Sequence, residues 1–173
     1  MNDEFKRNPV VLVHGIFRKS GVFRQMSAYL TDLGWSVHAL DLTPNYGTIA
    51  LDELAVQLSD YINKNFPPDR PVDIVGLSMG GLVSRYYLQR LGGIDRVERF
   101  IAISSPHNGT WMAYTLWGKG CIQMRPNSDF LQDLNRDATA LDRLNFTSIW
   151  TPWDFIIVPA ASSQMSVGKE VKL

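Results

Sequence analysis

The chain of 173 residues is expected to fold as a three-layer α/β domain, a mostly parallel sheet with helices on both faces. Two observations predict it. Strand-like apolar runs alternate along the chain with segments of helical period. The runs are also continuous rather than interleaved with polar residues, the pattern of strands buried on both faces. Strand–helix–strand alternation at this spacing calls for right-handed crossovers. The length suits one domain, 1–173, with room for a core. Apolar residues at 45% and charged residues at 20% describe a globular chain rather than a disordered one.

The elements follow in order. Val-Val-Leu-Val at 10–13 is a β-branched run that stops at His14-Gly15. Val22, Phe23, Met26 and Leu30 then repeat at helical spacing, with Ser20 as the expected N-cap. A second strand runs over 36–42, from Gly34 to Pro44. Leu51, Leu54, Ala55, Leu58, Tyr61 and Ile62 line one helical face. A third strand over 72–77 is opened by Pro71 and closed by Gly76. Leu82, Val83, Tyr86, Tyr87 and Arg90 continue helically from Gly80-Gly81. The fourth strand spans 98–104 and stops at Pro106. A shorter helix follows Asn127-Ser128, with Phe130, Leu131 and Leu134 on one face. The fifth strand, 146–151, ends at Pro152, and 168–173 begins a sixth.

Composition excludes several classes of function. Lys+Arg and Asp+Glu both number 17, so no field of one sign exists to hold a nucleic acid or an anionic membrane. The longest apolar runs, 100–104 and 156–162, are too short to cross a bilayer. The opening Met-Asn-Asp-Glu-Phe-Lys-Arg has no apolar stretch behind it and does not read as a secretory leader, so a cytoplasmic location is expected. The single cysteine, Cys121, rules out an internal disulfide and cysteine-rich metal sites, and reads as a buried small hydrophobe. No cofactor and no metal are expected.

The chemistry lies in Gly76-Leu77-Ser78-Met79-Gly80, a G-x-S-x-G that follows a buried strand and opens a helix. That is the setting of a nucleophile elbow, whose tight turn needs small residues two before and two after the serine. Ser78 would stand at the C-terminal edge of the sheet, above a helix N-terminus that favours developing negative charge. An oxyanion needs two backbone N–H donors. One comes from the residue after the nucleophile, Met79, and the other from the loop after an earlier strand, for which Ile16 in Val13-His14-Gly15-Ile16 is the candidate, with Phe17 behind it. His14 is expected to brace this loop rather than to move protons. Asp154, in Trp150-Thr151-Pro152-Trp153-Asp154 at the end of the fifth strand, suits the chain order Ser, Asp, His; the alternative is a loop aspartate capping a turn.

These residues resemble the small α/β-hydrolases of the minimal bacterial lipase/esterase type over most of the chain. The matching pieces are Val-Leu-Val-His-Gly-Ile at 11–16, Gly-Leu-Ser-Met-Gly-Gly at 76–81, Ser-Ser-Pro-His-Asn-Gly-Thr at 104–110, Trp-Thr-Pro-Trp-Asp at 150–154 and Val-Pro-Ala-Ala-Ser-Ser at 158–163. The resemblance implies the three-layer α/β-hydrolase fold, Ser78 as nucleophile, Asp154 as the acid of a triad, Ile16 and Met79 as oxyanion donors, an acyl-ester or lipid substrate, and no cofactor. In that family the catalytic histidine follows the last strand, roughly two dozen residues beyond the aspartate. Here 19 residues follow Asp154 and none is histidine, so the C-terminal strand and helix are expected to be incomplete. His107, in the loop after the fourth strand, is the candidate substitute base, since triads are defined by geometry and not by order. His38 reads as a satisfied strand residue. A sheet face short of a helix would expose apolar surface and invite self-association.

Only about 40 residues separate Ser104 from Phe146, which leaves no room for a large cap over the serine. The aromatic stretch 111–117 could form an acyl-binding wall or short lid, or equally a core-facing helix. The main reading is a carboxylic ester hydrolase working through an acyl-enzyme. Its rivals are an acyltransferase or thioesterase with the same apparatus, a peptidase, and a binding protein that has lost its base.

Overall fold

The computed structural model describes residues 7–173; residues 1–6, which carry most of the charged N-terminal stretch, lie outside the described residues. Among the described residues six strands form one sheet: β1 (Val10–Val13), β2 (Val37–Leu40), β3 (Val72–Leu77), β4 (Val97–Ile103), β5 (Asn145–Trp150) and β6 (Lys169–Lys172). Their order is β2-β1-β3-β4-β5-β6, and every pairing is parallel. The chain first steps from β1 outward to β2, then returns past β1 to β3 and continues the other way. The order therefore reverses between β1 and β3. Loops leaving the C-terminal ends of these two neighbours diverge and open a crevice, where open parallel sheets hold their ligands.

The α-helices of the described residues are α1 (Arg24–Asp32), α2 (Leu51–Asn65), α3 (Met79–Arg90), α4 (Lys119–Gln123) and α5 (Asp129–Arg136). The continuous apolar runs have the predicted consequence. In β1, Val11 and Val13 enter the larger core while Val10 and Leu12 enter a smaller one on the opposite face. The larger core is closed by α2, through Leu51, Leu54, Ala55, Leu58 and Ile62, and by α3. The smaller core is built from Phe23 with Met26 and Leu30 of α1. Past α1 on that face, Ile101, Ile103, Ile149 and Val171 lie in neighbouring strands and stay half-buried.

The expected N-cap at Ser20 is not one. A 3-10 turn, Ser20–Phe23, precedes α1, and no side chain caps either. The Ser20 N–H instead meets the Asp41 carboxylate at 2.6 Å, a partner brought in by the loop after β2. That contact lowers the Asp41 pKa. Ser128 does cap α5, its Oγ accepting the Leu131 N–H at 3.3 Å. His38 sits on the edge strand, bonded to Ser36 Oγ at 2.9 Å and edge-on to Phe66, and is satisfied as expected.

Candidate active site

Ser78 ends β3 and begins α3 with φ 53° and ψ −121°, a conformation that costs a non-glycine residue on the order of 1–3 kcal/mol. The surrounding backbone holds it there. Its N–H donates to Ile103 O at 2.8 Å, and its O accepts the Gly81 N–H at 2.9 Å. The two flanking glycines are sterically required. A Cβ on Gly76 would stand 2.7 Å from Gly81 Cα, and one on Gly80 would run into Val13 O. The turn thus presses α3 onto the end of β1, next to the loop that carries Ile16.

That loop is fastened from two sides. Leu42 N–H donates to His14 Nε2 at 2.9 Å, so the ring proton sits on Nδ1 and is donated to Gly15 O, also at 2.9 Å. His14 is fully buried, and both its nitrogens are spent on bracing the loop. Asn45 adds a second fastening: its O accepts the Phe17 N–H at 2.9 Å and its Nδ2 donates to Arg18 O. Phe17 adopts a left-handed φ of 56°. Arg18 N–H turns back to Gly15 O at 3.3 Å. Among the described residues, the Ile16 and Met79 N–H groups donate to no acceptor. Asn45 has no local signal in the sequence; its role comes from the chain crossing back after β2.

Asp154 lies beyond β5, and its Oδ1 accepts the N–H of Ile156 and of Ile157, each at 2.9 Å. Its Oδ2 has no partner among the described residues. A cleft of about 720 Å³ brings Ser78, Ile16 and Asp154 together, lined further by Gly15, Phe17, Arg18, Val22, Leu77, Ser104, Ile156 and Ile157. Ser104 is a second strained serine there, with φ 44°.

His107 is not brought to this cleft. It is fully buried, edge-on to Phe146, and neither ring nitrogen finds a hydrogen bond. Burial, and then the charge of Arg85, push its pKa well below the ordinary histidine value. The substitute-base expectation placed it at the cleft; the loop after β4 turns this side chain inward instead. The aromatic stretch is neither a core-facing helix nor a wall of this cleft. It forms a 3-10 turn, Trp111–Tyr114, with Ala113 buried but Trp111, Met112 and Tyr114 exposed, and Trp117 beyond it is 88% exposed. None of these lines the cleft. Cys121 is buried, and burial pushes its thiol pKa up. Among the described residues, no cluster of three or more His, Cys, Asp or Glu could hold a metal, and no helix is long and apolar enough to cross a membrane.

The sheet order and the strained serine turn define a protein of the α/β-hydrolase fold. Solved structures agree on that fold. The mature Bacillus licheniformis lipase BlEst2 superposes with a TM-score of 0.79, covering 99% of this chain and 85% of its own at 15% identity. Aspergillus fumigatus lipase B also gives 0.79, over 96% of this chain and 45% of its own at 21% identity. In sequence, residues 9–153 match the palmitoyl protein thioesterase family, and the chain belongs to that family. A curated relative, the lysosomal thioesterase PPT2 of Mus musculus, is 33% identical over 109 residues, which is 60% of this chain. The match spans about a third of that relative, 35% of its length.

Proposed function

We propose that this chain is a serine hydrolase of acyl esters that works through an acyl-enzyme. One observation carries the reading: a serine strained on a strand-to-helix turn shares a cleft with the Ile16 loop and with a carboxylate beyond β5. Ser78 Oγ attacks the carbonyl carbon, and the Ile16 and Met79 N–H groups meet the oxyanion that forms. The leaving group departs with a proton, and water then cleaves the acyl–Ser78 ester. Asp154 Oδ1 is held by two backbone amides, which leaves Oδ2 open to an imidazole N–H. His14, His38 and His107 are all held away from the cleft, so within these 173 residues the Ser78 proton passes to the leaving group without a histidine between them. The substrate is a small-molecule acyl ester or a lipid.

Family membership favours a second reading, in which the bond cleaved is a thioester. The steps are the same with a thiolate leaving group. Transfer to an alcohol instead of water is the third, supported only by the absence of a cap; competition between water and an alcohol tests it. The sequence-based location in the cytoplasm is a further part of the proposal, tested by cell fractionation. So is self-association through the half-buried face of Ile101, Ile103, Ile149 and Val171.

The test is hydrolysis of short-chain p-nitrophenyl esters and matched acyl thioesters by the chain beside Ser78→Ala, Asp154→Asn and His107→Ala. The expected result is turnover that needs Ser78 and Asp154 and not His107. Equal background in all four proteins overturns the hydrolase reading for this chain and leaves the binding protein. Turnover lost in His107→Ala, with its fold intact, would restore that histidine as the base.

A further inference from the structure

The motif Ser-Ser-Pro-His-Asn-Gly-Thr at 104–110 is not used up by the mechanism above. Its last residue has an unusual set of bonds. Thr110 is 5% exposed and lies against the segment that follows Asp154. Its Oγ1 donates to Ile156 O at 3.1 Å and accepts the Val158 N–H at 3.0 Å and the Met112 N–H at 3.3 Å. The next residue continues the contact, Trp111 N–H donating to Val158 O at 2.9 Å. Two residues earlier, Asn108 N–H and Nδ2 reach Ser162 O and Gln164 O at 2.9 Å. The last residues of the motif are therefore laced to the segment beyond Asp154, Asn108 to its far part and Thr110 to the part nearest the carboxylate.

The consequence lies one bond further on. Ile156 and Ile157 are the residues whose N–H groups hold Asp154 Oδ1. Thr110 grips the Ile156 carbonyl, which shares one rigid peptide group with the Ile157 N–H, and the Val158 amide one peptide further on. We propose that Thr110 is a positioning residue: its hydroxyl sets the Ile156–Ile157 amides and, through them, the direction of the Asp154 carboxylate. A single hydroxyl suits the task because it can donate to one backbone group while accepting from others. Valine keeps the shape but leaves the Ile156 carbonyl and the Val158 amide without the partner that both have in part-buried hydrogen bonds. Serine keeps the hydrogen bonds. The inference rests on Asp154 being the acid of the triad.

Site-resolved amide exchange and steady-state kinetics, in Thr110→Val, Thr110→Ser, Asp154→Asn and the parent, test it together. In Thr110→Val the Ile156 and Ile157 amides should exchange about tenfold faster or more, with amides of β1 and β3 unchanged. Its kcat should fall by a similar factor while KM stays within about twofold, because the aligned carboxylate matters in the transition state. Thr110→Ser should restore both. Parent-like exchange at Ile156 and Ile157 in Thr110→Val overturns the proposal, as does faster exchange throughout the protein in both variants. If exchange responds as expected but Asp154→Asn keeps full turnover, the clamp stands and the acid assignment fails.

Discussion

At the scale of single residues, Ser78 and His107 fared differently as readings of the sequence. Ser78 was legible because its constraint is local: a turn this tight admits only small residues at 76 and 80, and the letters show them. His14 was legible for a similar reason, a histidine ending a buried strand with backbone groups within reach. The setting of His107 was not legible because its surroundings, Phe146 and Arg85, come from distant parts of the chain. Its sealed imidazole leads to a prediction. Buried neutral in the folded state, it takes up a proton on unfolding once the pH drops below about 6.5. Protonation then favours the unfolded chain, so stability should decline from that pH downward. His107→Leu removes an unpaired buried group, so it should flatten this decline and gain up to about 1 kcal/mol at neutral pH. Urea unfolding across the pH range measures both; an unchanged slope below pH ~6.5 would show that His107 is not the titrating group.

Helices and strands show a second division. The face of α2 was read directly from spacing, since a helix that closes a core must repeat its apolar residues every three or four positions. Leu58→Ala should cost about 2–5 kcal/mol. Val56→Ala, two positions away and 47% exposed, should cost no more than about 0.5 kcal/mol. Equal losses in chemical denaturation would refute the assigned face. The start of the same helix was not legible. Ala50 has no capping side chain, and the Leu51 N–H is taken by Gln123 Oε1 of α4 at 2.5 Å. The joint between α3 and α5 was equally hidden. Arg85 is buried there, bonded to Asn135 Oδ1 and Leu134 O, with its pKa pushed down to about 10, mainly by burial. Arg90 beside it donates to both oxygens of Asp137 and to Asp133. The Arg90 hydrogen bonds hold the Asp137 carboxyl below its usual range. Its contribution is full above about pH 4 and fades as the pH falls through the lowered value. Asp137→Asn should remove that acid-side loss, which acid titration of the melting temperature would detect. The effect should be small, because the pair is part-exposed.

For the whole molecule, the reversal of strand order between β1 and β3 is the controlling feature, since it puts the Ile16 loop and Ser78 on one crevice. Among the described residues, α1 is the helix that supplies side chains to the smaller core on the other face. If Ile103 and Ile149 form the self-association surface, the apparent mass should rise with concentration, and Ile149→Lys should abolish the rise while leaving the melting temperature near the parent's. A concentration-independent monomer in sedimentation would remove that part of the proposal. The six strands in order, the helix that closes the core, the serine turn and the brace at His14 are all legible in the letters of the chain. Each depends on neighbours a few positions apart, where periodicity and steric size are written in the chain. Only the tertiary structure decided that His107 is sealed away, that Asn45, Gln123 and Thr110 hold backbone of other segments, and that the aromatic turn stands outside the cleft. Those outcomes depend on which distant segments meet, and a hydrogen bond between them leaves no period or spacing to read.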